Sequence, residues 1–249
     1  MKTTLLLVAI ASVALLSSGT SASESKGPSV TVGTLITNKY LASGTGSTLS
    51  RDPALQSDLF VMFPNGFYVD LWNSRSLRGS WDDGSLGNEV DYSVGWKGAV
   101  AEGASLNVAT SYFDEPRAFD LGKGDILYTR AFLTKGFKLL PVTIGYENYV
   151  AMPSSGFRGG SLVSLGSGKS WSGIESKISA RVSAAAVYDF GTLGTSSGVI
   201  FRGGAGIDWK ASKRLTVNLI GANWFVPVTP RDKRSSDVAF STGVTWSVK

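Results

Sequence analysis

Residues 88–97 read Asn-Glu-Val-Asp-Tyr-Ser-Val-Gly-Trp-Lys. Val90, Tyr92, Val94 and Trp96 fall on every second position, with Glu89, Asp91, Ser93, Gly95 and Lys97 between them. A period of two is the signature of a β-strand with one apolar and one polar face. Wound into a helix, the same residues would scatter charge around every side. The pattern recurs at 30–40, 54–63, 67–74, 104–112, 125–135, 142–150, 174–190, 199–209, 215–226 and 237–249. In 125–135 the facing of Arg130 stays open, because it shares parity with Tyr128 and Phe132. Pro64-Asn65-Gly66 joins two of these segments, and Asn-Gly is a strong hairpin signal.

Segments of about ten residues match a transmembrane strand tilted in a bilayer, and alternating long and short connections match outer loops and inner turns. The long connections are 44–52, 77–87, 114–124, 152–173, 191–198 and 227–236; the short ones include 64–66, 101–103, 136–140 and 210–214. This alternation, and the even strand number of single-chain barrels, require a strand hidden within 152–173, with 157–165 its candidate. The pattern predicts an all-β fold, an antiparallel transmembrane β-barrel of about twelve strands, with ten as the fallback.

A secreted β-sandwich or lipocalin-like barrel alternates too, so alternation alone is neutral. Aromatic placement separates the two. Tyr40, Phe63, Phe67, Tyr92, Trp96, Tyr112, Tyr188, Trp209 and Trp246 recur near segment ends on the apolar parity. Amphipathic rings there suit the membrane–water interface. The opposite parity carries Asp58, Asp70, Glu89, Asp91, Glu147, Lys177, Arg181, Arg202 and Asp208. In a membrane barrel these residues line the lumen, where charged side chains set ion preference.

Composition narrows the chemistry. The 249-residue chain has neither Cys nor His, which removes disulfides, thiolate sites, the usual general base and the commonest transition-metal ligand. Glu89 and Asp91 share one strand face and could in principle act as acid and base, but a polar lumen accounts for them more simply. No enzyme activity, cofactor or metal is expected. The net charge of +5 is dispersed, with Arg231, Lys233 and Arg234 the densest run, so nucleic-acid binding is not expected. Gly166-Ser167-Gly168-Lys169-Ser170 resembles the end of a phosphate-binding loop, but Val163 stands where the pattern needs Gly, and the stretch reads as a flexible loop. Asp82, Asp83 and Glu89 match no calcium-loop spacing.

The first 22 residues read as a signal peptide. Lys2 opens it, 5–16 is apolar or small, and Thr20-Ser21-Ala22 supplies a cleavage site. The apolar run is too short for a ~30 Å hydrocarbon core, which needs about 20 residues. The mature barrel is then 23–249. No later stretch is long and apolar enough to cross as a helix, so a membrane-bound mature chain must cross as strands.

Between Tyr40 and Asp91 the chain resembles the TorF-like porins of Gram-negative outer membranes. The residues that carry the resemblance are Tyr40 and Gly44, Asp52-Pro53-Ala54-Leu55-Gln56, Gly66 through Ser74 with Phe67-Tyr68 and Trp72-Asn73-Ser74, and Glu89-Val90-Asp91. They span about a fifth of the chain. Ser43 stands where the family often has Arg, Asp70 where Gly is usual, and the chain ends Ser247-Val248-Lys249 rather than in an aromatic. The resemblance implies an outer-membrane porin. Its surroundings would be outer-membrane lipid and lipopolysaccharide, with the barrel-assembly machinery as a partner. Its cargo would be ions or small polar solutes passing passively through a charged lumen. The alternative is a closed structural or surface-binding barrel acting through the outer loops 77–87, 114–124 and 152–173.

Overall fold

At Pro64-Asn65-Gly66 the chain reverses within a tight turn. Gly66 takes φ +88°, and the Phe63 and Gly66 amides donate to the Phe67 and Phe63 carbonyls at 2.8 and 3.0 Å. The computed structural model describes residues 27–42, 44–78, 88–114, 125–151, 158–172, 177–229 and 234–248. The expected signal peptide and the Asp82–Asp83 stretch lie outside them, as do parts of the expected outer loops.

Long strands cover β1 (Ser29–Thr37), β4 (Ala54–Met62), β5 (Phe67–Ser76), β6 (Glu89–Ala101), β7 (Ala104–Asp114), β8 (Ile126–Lys135) and β9 (Val142–Ala151). They continue as β10 (Gly160–Ser172), β11 (Ile178–Asp189), β12 (Gly198–Lys210), β13 (Leu215–Pro227) and β14 (Asp237–Val248). Every long strand pairs antiparallel with its neighbours, and β1 pairs with both β4 and β14, closing a barrel of twelve strands. Closure matters in lipid because it leaves no strand edge with unpaired amides and carbonyls. A two-stranded hairpin, β2 (Tyr40–Leu41) with β3 (Thr48–Ser50), stands apart from the wall.

The strand hidden within 152–173 is β10, and it begins and ends later than 157–165. Gly166–Ser170 is therefore mid-strand and not a loop, and among the described residues no α-helix follows it to build a phosphate site. β1 ends at Thr37, three residues before Tyr40, and β11 starts at Ile178, leaving Lys177 in the preceding turn.

The two parities face opposite environments. Val32, Ile36, Val94, Leu133, Ile144, Val163, Leu165, Val182, Phe201, Ile207 and Val244 are large apolar residues exposed on the outside. A water-soluble barrel would turn this face inward; here it forms the belt of a membrane barrel. On β11 the outward residues run from Ile178 to Tyr188. Ten steps of ~3.3 Å at a tilt near 40° give ~25 Å, the height of an outer-membrane apolar band. A bulge at Leu219–Ile220 shifts the register of β13 against both neighbours. The extra residue keeps Asn218 and Gly221 both inward, beside Asp208 and Gly206.

Candidate functional site: the barrel lumen

Inward parity places Asp58 on β4, Asp70 on β5, Glu89 and Asp91 on β6, Glu147 on β9, Arg181 on β11, and Arg202 and Asp208 on β12 inside the barrel. Arg130, whose facing the alternation left open, also points inward, paired in register with Glu147. Lys177 lies one residue before β11, exposed, and its carbonyl accepts the Lys210 amide at 2.7 Å.

The charges are sorted by wall. On β4–β6, four carboxylates, Asp58, Asp70, Glu89 and Asp91, gather on one side. Asp58 lies within hydrogen-bonding reach of Asp70, and Glu89 of Asp91. Arg130 faces this wall, donating to the Tyr68 hydroxyl at 3.4 Å and lying 6.0 Å from the Tyr128 ring centroid. Opposite, Arg202 Nη2 is 3.1 Å from Glu147 Oε1, and the Tyr128 hydroxyl donates to Glu147 Oε2 at 2.6 Å. Nearer the short turns, Arg181 Nη1 binds Asp208 Oδ2 at 2.6 Å, and Asn218 Nδ2 donates to Asp208 Oδ1 at 2.9 Å. Arg181 lies flat across Gly206, where a Cβ would come within 2.6 Å of its guanidinium.

The wall is also aromatic at the long-loop end. Tyr128 and Tyr149 sit 4.7 Å apart, and Phe113 stacks on Tyr128 at 5.1 Å. With Ile126, Leu162, Ala185 and Val187 they form a buried cluster inside the barrel. Alternation carried a signal for these rings: Tyr128 shares parity with Arg130, Tyr149 with Glu147, and Trp72 with Asp70.

Into this end folds the first long connection. Tyr40, expected among the interfacial aromatics, is instead buried inside, its ring 5.4 Å from Trp72 and its hydroxyl donating to Glu89 Oε2 at 2.6 Å. The misreading came from continuing the alternation of β1 past Thr37, where the chain leaves the wall. Burial, with the Glu89 and Asp91 carboxylates alongside, pushes the Tyr40 phenol up and keeps it a hydrogen-bond donor. Lys39 pairs with Asp237 at 2.6 Å, and the Thr48 hydroxyl donates to the same carboxylate at 2.7 Å. The turn residues Gly44, Thr45 and Gly46 are buried. The Gly44 carbonyl accepts from Arg202 Nη1 at 3.1 Å and the Thr45 carbonyl from Arg234 Nη1 at 3.2 Å.

The other expected interfacial aromatics sit on the outward parity. Phe67, Trp209 and Trp246 are exposed near the short turns, and Tyr188 near the long loops. Tyr92 pairs with Tyr112 across β6 and β7, and the Tyr112 hydroxyl donates to Asp125 beside the 115–124 connection. Trp96 Nε1 donates to the Asn65 carbonyl at 3.0 Å, tying its ring to the β4–β5 turn.

No model of a known protein family matches the chain, and no curated protein resembles it in sequence. Solved structures share its fold. A KdgM porin superposes with a TM-score of 0.54 at 10% identity, covering 89% of this chain and 99% of its own. A NanC porin gives 0.54 at 10% identity, covering 88% and 98%. A KdgM porin in complex with disordered oligogalacturonate gives 0.51 at 10% identity, covering 89% and 99%. At this identity the likeness is one of architecture: the chain has the twelve-stranded fold of outer-membrane porins.

Proposed function

We propose that the chain is a passive outer-membrane channel for ions or small polar solutes, related to the TorF-like porins and exported by a signal peptide cleaved near Ala22. One observation carries the reading. A closed barrel with an apolar outside holds a polar, charged inside from the Asp58–Asp91 wall to the Arg181–Asp208 pair. Polar interiors of this kind line the water-filled channels of outer-membrane barrels. A KdgM porin carries oligogalacturonate in its solved complex, which supports a small polar solute as cargo.

Selectivity on this reading comes from Asp58, Asp70, Glu89 and Asp91. Four carboxylates facing Arg130 leave the β4–β6 wall net acidic, and on this reading that wall favours cations. Outer-membrane lipid and lipopolysaccharide would surround the belt, and the barrel-assembly machinery would insert it. No catalytic step is proposed.

Planar-bilayer recording of the refolded mature protein in a salt gradient tests the reading. Discrete steps with a cation-selective reversal potential are the expected result. A silent bilayer, with insertion shown independently, refutes it. The inward β2–β3 hairpin favours one rival, a closed barrel working through its outer loops. Silence together with lost adhesion or envelope integrity on deleting those loops would establish that rival.

A further inference from the structure

The β2–β3 hairpin is not a loop resting on the rim. Its partners are inward-facing side chains from strands all round the barrel: Trp72 on β5, Glu89 on β6, Tyr149 on β9, Arg202 on β12 and Phe225 on β13. Its turn is shaped to that space. A Cβ at Gly44 would overlap the Tyr149 hydroxyl and approach Leu162 to 3.1 Å. Gly46 has φ +67°, which disfavours any side chain, and a Cβ there would lie 2.7 Å from the Phe225 ring.

Two guanidiniums hold this turn, and each is itself anchored. Arg202 bridges Glu147 on the wall to the Gly44 carbonyl. Arg234 bridges Asp189 at 2.6 Å to the Thr45 carbonyl and also reaches the Ser196 carbonyl at 3.2 Å. Asp189 is fully buried and also accepts the Gly191 and Thr192 amides and the Thr195 hydroxyl, so it is a fixed post. Planar guanidiniums suit such two-sided bridges because one face of donors serves the carboxylate while others serve a carbonyl.

We infer that the β2–β3 hairpin is the constriction of the channel, latched across the lumen by Arg202 and Arg234, and that it sets the largest solute the barrel admits. This rests on the channel reading. A segment spanning from the β5–β6 wall to the β12–β13 wall leaves solute only the space beside it. The hairpin's Tyr40 binds Glu89 on the acidic β4–β6 wall, so size selection by the hairpin and charge selection by the wall act at one level.

The chain has no Cys, so a Thr45→Cys variant carries a single reporter at a buried position in the turn. Labelling by a water-soluble maleimide is compared in Thr45→Cys alone and with Arg202→Ala and Arg234→Ala added. In parallel, bilayer conductance and exclusion of graded polyethylene glycols are recorded. Removing two charge-assisted bonds should raise labelling about tenfold or more. It should also raise conductance and move the exclusion limit to larger polymers. If the double alanine variant does not refold, Arg202→Lys with Arg234→Lys keeps the charge beside both carboxylates but loses the fork.

Unchanged labelling overturns the latch. Faster labelling with unchanged conductance and exclusion limit overturns the constriction and leaves the channel reading standing. A silent parent that conducts once released overturns the constriction as a size filter, because the hairpin then closes the parent barrel completely. Silence in both proteins removes the channel reading and the constriction with it.

Discussion

Replacing Arg202 by Met tests whether the lumen is dry or wet at the level of the hairpin. Glu147 is 3% exposed and Arg202 15% exposed, and their atoms meet at 3.1 Å. Arg202→Met removes the arginine from the Glu147 carboxylate, which still accepts from the Tyr128 hydroxyl. Breaking a buried pair from one side costs about 3–5 kcal/mol, because the abandoned charge stays out of water. Arg202→Met also forfeits the bond to the Gly44 carbonyl, so the raw loss mixes two effects. A double-mutant cycle with Glu147→Gln separates them, since the Gly44 contribution appears in both arms and cancels. In the Arg202→Met background, Glu147→Gln should recover most of the loss, giving a coupling of about 2–3 kcal/mol. The assay is denaturant unfolding of the barrel refolded in micelles, followed by tryptophan fluorescence, with the free energy extrapolated linearly. A loss below about 1 kcal/mol with no coupling would match an exposed pair and refute the reasoning. The hairpin would then sit in open water, and the level of Glu147 would be no constriction.

Three further outcomes follow from the same geometry. Glu89→Gln with Asp91→Asn should move the reversal potential in a salt gradient towards zero, and an unchanged potential would free these carboxylates of any part in selectivity. Val182→Arg puts a charge on the lipid face midway along β11, where Val182 is 45% exposed, and should cost about 2–4 kcal/mol by unfolding in lipid. A neutral result there would contradict the assigned membrane belt. Arg181→Ala breaks an ion pair whose arginine is 44% exposed, so stability should fall by less than about 1 kcal/mol. Single-channel conductance should nevertheless change, and the reverse ranking would make Arg181 structural.

Much of the wall was legible because alternation is a local property of an extended chain. Val90 to Trp96 and Val142 to Val150 declare their two faces without reference to any partner. β10 was faint for an equally local reason. Ser167 and Lys169 occupy its outward parity and donate to the Pro141 and Leu139 carbonyls in the neighbouring turn, so the apolar alternation breaks between Leu165 and Trp171. Lys177 falls one residue short of β11, and Tyr40 lies three residues past the end of β1, where the strand's parity no longer applies. The interior aromatics carry opposing signals: Tyr128, Tyr149 and Trp72 each share parity with a charge, while their apolar rings suit the other face.

By itself the sequence determined most of the wall strands, their two faces and the chemistry ruled out by the missing Cys and His, and it favoured twelve strands over ten. These follow from neighbours two residues apart and from composition. Only the tertiary structure decided which connection turns inward and which charges neutralise one another. Gly44 meets Arg202 across 158 positions, and Thr45 meets Arg234 across 189. Such contacts exist only after the barrel closes and brings β1 and β14 together. No periodicity in the chain encodes them, because they depend on the distance across a lumen that twelve strands jointly define.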